Sequence, residues 1–189
     1  MTVTEFAKGR LMAANRKHIE KSEDHFDFWE QHIRIVVKEA LILADLYGAD
    51  KEIVELGALL HDIALVSDFG KRNEHHKNGA AITYGILSEY GYPDDRKSHV
   101  MGCVFNHRSS KNAENIEELC VGDADIISHY YNIPMCFTEA FKRGKIKTGS
   151  VDEWVRYFED DWNDMSERTK KIFKPKYDNI MDVLFGALI

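Results

Sequence analysis

His61 and Asp62 stand side by side in the run Leu56-Gly57-Ala58-Leu59-Leu60-His61-Asp62-Ile63-Ala64-Leu65. Apolar residues cover nearly every side of that run, which marks a helix buried in the middle of a domain. An ionised aspartate there costs several kcal/mol unless it is paired or binds a cation. The neighbouring imidazole offers a nitrogen ligand suited to zinc, iron, manganese or nickel. Taken alone, the dipeptide reads as a core His–Asp hydrogen bond, which is a common structural device. Other residues of ligand type shift that balance.

His32 lies three residues after Trp29 and four before Val36, on an apolar stripe that continues through Ala40, Leu43 and Tyr47. His107 falls on the stripe Val100, Cys103, Val104, and His75 precedes Gly79 by four residues and Ile82 by seven. Asp125 stands in a stretch that is otherwise apolar: Leu119, Cys120, Val121, Gly122, Ala124, Ile126, Ile127. Any one of these reads as a satisfied core residue. Together they are inward-facing donors on separate helices, and helical bundles build metal sites from such convergence. One shared cation offsets desolvation costs that separate burial would multiply.

The elements that carry these residues are helical throughout. Apolar residues recur at helical spacing over about residues 4–20, 27–47, 51–65, 73–90, 94–108, 116–131, 138–143 and 151–171, with a last helix from Tyr177. Asp50 is suited to cap the third helix. The three prolines, Pro93, Pro134 and Pro175, are read as marking breaks. No stretch alternates with period two, so the expected class is all-α. The aromatics Trp154, Tyr157, Phe158 and Trp162 lie among carboxylates, as in an amphipathic helix packing its rings inward.

Composition narrows the function. The 189 residues are 44% hydrophobic, enough for one domain with its own core. No segment approaches the roughly 20 apolar residues that span a bilayer, and the first residues lack a signal peptide's order. No membrane association and a cytoplasmic address are expected. Cys103, Cys120 and Cys136 read as reduced, buried thiols. Net charge is −7, from 25 basic and 32 acidic residues, which disfavours a broad surface for long nucleic acid. A small anionic substrate is compatible with it, because a metal sets the local field against the global one.

The order His32 … His61-Asp62 … Asp125, on helices with short connections, resembles the HD superfamily of metal-dependent phosphohydrolases. Gly57-Ala58-Leu59-Leu60-His61-Asp62-Ile63 is similar to that family's His-Asp core, and Ala124-Asp125-Ile126-Ile127 to the element that supplies its last ligand. The resemblance covers about residues 26–133 and implies a single HD-domain helical bundle over 1–189, with helices of 134–189 packed on the core. It implies a divalent metal (Mn, Fe, Ni, Co, Zn or Mg) held by His32, His61, Asp62 and Asp125. His75 and His107 resemble the added histidines of two-metal subgroups, and His75-His76-Lys77-Asn78-Gly79-Ala80 resembles their His-x-x-x-Gly-Ala element. His76 competes with His75 for that role, and Asp123 with Asp125. His18, His25, His99 and His129 match no element and read as surface or packing residues.

The activity implied is hydrolysis of a phosphate ester or anhydride of a small molecule, a nucleotide first, by a metal-activated water. Asp62 would bridge two ions. Arg108 and then Lys77 are the candidates to neutralise phosphate charge, and Asp68 or Glu74 to protonate the leaving group. Two other readings follow from the same resemblance: a ligand-sensing module without turnover, and a di-iron oxygenase. Association into a homo-oligomer is left open.

Overall fold

The computed structural model describes residues 1–187, and every regular element among them is helical. The all-α expectation holds. Helix α1, Val3–Lys21, opens on a capping box in which Thr2 accepts from Glu5 and Glu5 reaches back to Thr2. A single π-helical turn, Trp29–Ile33, runs directly into α2, Arg34–Tyr47, which ends at Gly48 in the left-handed conformation. Asp50 caps α3, Lys51–Leu60, as expected, accepting from Glu52 N and Ile53 N while Arg96 pairs with its other oxygen at 3.0 Å.

The structure departs from one unbroken helix over 51–65. Helix α3 stops at Leu60, His61 and Asp62 form a turn, and α4, Ile63–Val66, follows. After a 3₁₀ turn, Arg72–Glu74, come α5, His75–Tyr90, then α6, Asp94–Asn106, and α7, Ile116–Tyr131. The pairs α2–α7, α5–α6, α2–α3 and α3–α6 form the central bundle, with α1 laid across α3, α4 and α5. Glycine lets these helices close up. A Cβ at Gly57 of α3 would stand 2.6 Å from Cys103 Cβ of α6 and 3.2 Å from Val121 Cγ2 of α7. All three cysteines are free and buried.

Helices α8, Ile133–Lys142, α9, Val151–Asp164, and α10, Glu167–Phe185, continue the same apolar core, which runs from Val3 to Phe185. Three boundaries differ from expectation. Helix α8 begins near Asn132, whose side chain accepts from Met135 N, with Pro134 in the first turn where its missing N–H costs nothing. The expected helix over 151–171 is cut at Met165–Ser166, where Ser166 caps α10. Pro175 lies inside α10 rather than at a break. Pro175 and Lys171, whose carbonyl loses its partner, are both exposed, so water can take that hydrogen bond. Among the described residues, no helix is long and apolar enough to cross a membrane.

Two outcomes test this packing. Gly57→Ala should cost about 1–3 kcal/mol by urea denaturation, because an added methyl has no room between α6 and α7. Asp50→Asn should matter more at neutral than at acid pH. Arg96 and the α3 N–H groups hold the Asp50 carboxyl below its ordinary 3.8. Its ionised form therefore stabilises the fold above that value, and the contribution fades as pH falls through the lower native one. The gap in urea midpoint between wild type and Asp50→Asn should narrow from pH 6 towards pH 3.

Candidate metal centre

Four imidazoles and two carboxylates meet where the ends of α3, α5 and α6 face α2 and α7. The turn between α3 and α4 does the central work. Consecutive residues on a regular helix point about 100° apart. Breaking the helix there sends both His61 and Asp62 to one place, with Nε2 and Oδ2 3.6 Å apart. Asp62 occupies the cap position of α4 but makes no capping bond, which leaves its carboxylate for the cluster. His32 comes from the π-helical turn before α2, an irregularity that often accompanies functional sites.

Asp62 divides the cluster in two. Its Oδ2 faces His32 Nε2 and His61 Nε2, each at 3.6 Å, and those two nitrogens are 3.0 Å apart. Asp125 Oδ1 closes this half at 3.1 Å from His32 Nε2 and 3.8 Å from His61 Nε2. The other oxygen, Oδ1, faces His75 Nε2 at 3.3 Å and His107 Nε2 at 3.7 Å, and those two are 3.1 Å apart. Metal–nitrogen bonds of about 2.0–2.1 Å at tetrahedral angles put ligand atoms about 3.3 Å apart. The observed separations are of that size, and each triad, His32–His61–Asp62 and Asp62–His75–His107, could hold an ion.

The far side of each ring fixes its tautomer. Nδ1 of His61 donates to Ala58 O (2.8 Å), that of His75 to Arg72 O (2.7 Å), and that of His107 to Val104 O (2.7 Å). All three use the carbonyl three residues back, and at the ends of α3 and α6 such carbonyls have no helical partner. Ser128 Oγ donates to Asp125 O and so accepts from His32 Nδ1 at 3.0 Å. Each Nε2 is therefore a bare lone pair. Facing lone pairs at 3.0 and 3.1 Å repel, and a shared cation turns that repulsion into coordination.

The electrostatics agree. Burial would raise the Asp62 carboxyl, but positive charge at His61, His107, His32 and His75, whether carried by protons or by a shared cation, would hold it below the ordinary range. Burial would likewise raise Asp125, and positive charge at His32 and His61 would hold it well below the ordinary range. Burial, reinforced by His61, pushes His107 down to about 4, which keeps the ring neutral and able to coordinate.

The structure brings His32, His61, Asp62, His75, His107 and Asp125 together. It separates the competing pairs. His76 packs its ring on Phe105 instead of entering the cluster. Asp123 points to α10, accepting from Ser166 N at 2.8 Å and from the Ser166 and Thr169 hydroxyls. Four other sequence candidates are not gathered in. Asp68 pairs with His18 Nδ1 at 2.8 Å. Arg108 donates to Asn73 O and lines a surface cavity with His76 and Phe105. Glu74 and Lys77 are exposed.

Sequence reading missed His129. Its ring stacks on His32 with centroids 6.0 Å apart, and its Nδ1 donates to Asp161 Oδ2 at 2.7 Å. Burial lowers its pKa, and Asp161 more than reverses this, so the ring binds a proton more readily than usual. The available signal was its spacing: His129 follows Asp125 by four residues and shares its face of α7.

Comparison with known proteins adds the family. The sequence model of the HD domain matches residues 29–129. Bacillus subtilis YpgQ has a similar fold, with a TM-score of 0.69 at 19% identity over 100% of this chain and 96% of that one. A predicted HD superfamily hydrolase from an uncultured Thermotogales bacterium gives 0.65 at 18% identity, over 100% and 98%. An HD-superfamily hydrolase from Bacillus thuringiensis gives 0.65 at 20%, over 97% and 95%. No curated protein matches in sequence. At these identities the structures speak to fold alone. The sequence match spans more than half of the chain and contains all six clustered side chains, and on that ground the chain belongs to the HD domain family.

Proposed function

We propose that the protein is a metal-dependent phosphohydrolase acting on a small phosphorylated molecule, a nucleotide first. The observation that supports this is the division of the cluster by Asp62 into two sets of lone pairs, each set with two imidazoles. His32, His61, Asp125 and Asp62 Oδ2 would hold one divalent ion, and His75, His107 and Asp62 Oδ1 a second. A bound ion supplies Lewis acidity, which lowers the pKa of a coordinated water and offsets phosphate charge. Four imidazole nitrogens favour manganese, iron, cobalt, nickel or zinc over magnesium, which takes oxygen ligands.

The chain's own residues then orient and shield. The backbone carbonyls of Ala58, Arg72 and Val104 and the Ser128 hydroxyl lock the four rings. His129, held by Asp161, backs the His32 ring against rotation. For the leaving-group proton, Glu74 is favoured over Asp68, because Glu74 adjoins His75 while Asp68 is engaged by His18. Long nucleic acid is disfavoured by the charge of −7, since duplex binding draws on many phosphate contacts.

Metal content is the first test. Asp62→Ala should lose both tight metal binding and activity, because it removes the ligand common to both halves. Protein that stays folded with stoichiometric metal and normal turnover defeats the assignment. His75→Ala and His107→Ala should lower turnover more than they weaken the first ion. A wild type saturating at one metal, with both variants unchanged, rules out the second.

Substrate class is the second test. Phosphate or pyrophosphate release from a nucleotide panel would be measured beside cleavage of single- and double-stranded oligonucleotides, with manganese in both. Turnover of the panel and inert oligonucleotides are expected. Degraded oligonucleotides with an inert panel would overturn the proposal.

A further inference from the structure

Beside the second half of the cluster, three cations surround one carboxylate. Glu139 of α8 is only 14% exposed. Its Oε2 accepts from Arg72 Nη2 at 3.1 Å and from Arg143 Nη2 at 3.3 Å, and Lys142 Nζ is 3.5 Å from its Oε1. Lys142 also pairs with Asp24. Arg72 is tied to the metal cluster by its backbone, since its carbonyl holds His75 Nδ1 at 2.7 Å. The charge of Asp62 reaches its guanidinium as well.

This arrangement suits ligand binding better than stability. A guanidinium has five N–H donors, and the shared oxygen engages one from each arginine. Neither arginine makes the two-bond fork with Glu139 that Arg–carboxylate pairs favour. The two positive charges oppose each other: Arg143 joins burial in lowering the affinity of Arg72 for its proton. Both side chains stay partly exposed, Arg72 at 46% and Arg143 at 39%, and each has donors beyond the one that Glu139 takes.

We infer that Arg72 and Arg143, positioned by Glu139, form a paired guanidinium site for an anionic group of the substrate beyond the scissile phosphate. This rests on the phosphohydrolase reading for the word substrate, and not for the binding itself. The chemical class is a substrate with a second phosphate, such as a diphosphate chain, in preference to a simple monoester. Planar forks matched to phosphate oxygens supply the recognition.

The test uses full-length protein with its own metal and two inert probes, orthophosphate and methylenediphosphonate, titrated by calorimetry. Wild type should bind the diphosphonate more tightly than orthophosphate by about tenfold or more, the gain from one or two charge-assisted contacts. Arg72→Ala and Arg143→Ala should each remove most of that preference. Arg72→Lys, which keeps the charge and loses the fork, should fall between. Glu139→Gln should reduce the preference without abolishing it, because the guanidiniums remain but lose their shared anchor. A wild type with no preference, or a folded Arg72→Ala, Arg143→Ala double variant that retains it, overturns the inference. Preference without turnover of any phosphate compound would keep the site and sink the phosphohydrolase reading. Turnover without preference would do the reverse.

Discussion

Asp62 puts a full negative charge among apolar helices, and the surrounding geometry answers that one cost. Its two oxygens each meet two imidazole nitrogens, and those four nitrogens present lone pairs because their other ring positions are occupied by donation. Histidines that donated through Nε2 would satisfy the carboxylate without any metal. The carbonyls of Ala58, Arg72 and Val104 exclude that outcome by taking the Nδ1 proton. Three of the four rings are thus set for a cation by backbone atoms, which substitution of side chains cannot easily change, and His32 is set by the Ser128 hydroxyl.

Helix ends make this arrangement available. A continuous helix through His61 would engage the Ala58 carbonyl in the ladder and direct Asp62 elsewhere. Ending α3 at Leu60 and α6 at Asn106 frees the carbonyls that orient His61 and His107. Gly57 serves the same end from one turn earlier, since its missing Cβ lets α3 sit against α6 and α7. The geometry of the cluster and helix termination are one structural event here.

Much of this was legible in the sequence. The His61-Asp62 pair, the inward register of His32 and His107, and Asp125 in an apolar run carry their own period, and the structure brings all of them together. Register ambiguities were not resolvable from type and spacing. His75 and His76 differ by one residue at a helix start, and only the Arg72 carbonyl and the Phe105 ring tell them apart. The break at His61 was illegible for a physical reason: the residues on either side are strong helix formers, and no glycine or proline marks the turn. Pro175 misled in the opposite sense, because an exposed helix tolerates a lost hydrogen bond. The cationic residues carry no such period. Arg108 and Lys77 are near His107 and His75 in sequence, while Arg72 is brought to His75 by a 3₁₀ turn and to Glu139 across 67 residues.

Helix α7 shows how the C-terminal helices bear on the site without entering it. Asp123 and Asp125 are two residues apart and so lie on opposed sides of the helix. Asp125 turns to His32. Asp123 turns outward, where Ser166 N and the Ser166 and Thr169 hydroxyls satisfy it, and Thr169 in turn accepts from Tyr47 of α2 at 2.7 Å. The first turn of α10 is therefore bonded to both helices, α2 and α7, that deliver His32 and Asp125. On the same α7 face as Asp125, His129 reaches Asp161 of α9, and Tyr130 donates to Phe158 O. A shift of α7 that would open the His32–Asp125 gap must break these bonds as well. Helices α9 and α10, outside the matched family region, thereby act as a brace, holding the register of α7 on which the first half of the cluster depends.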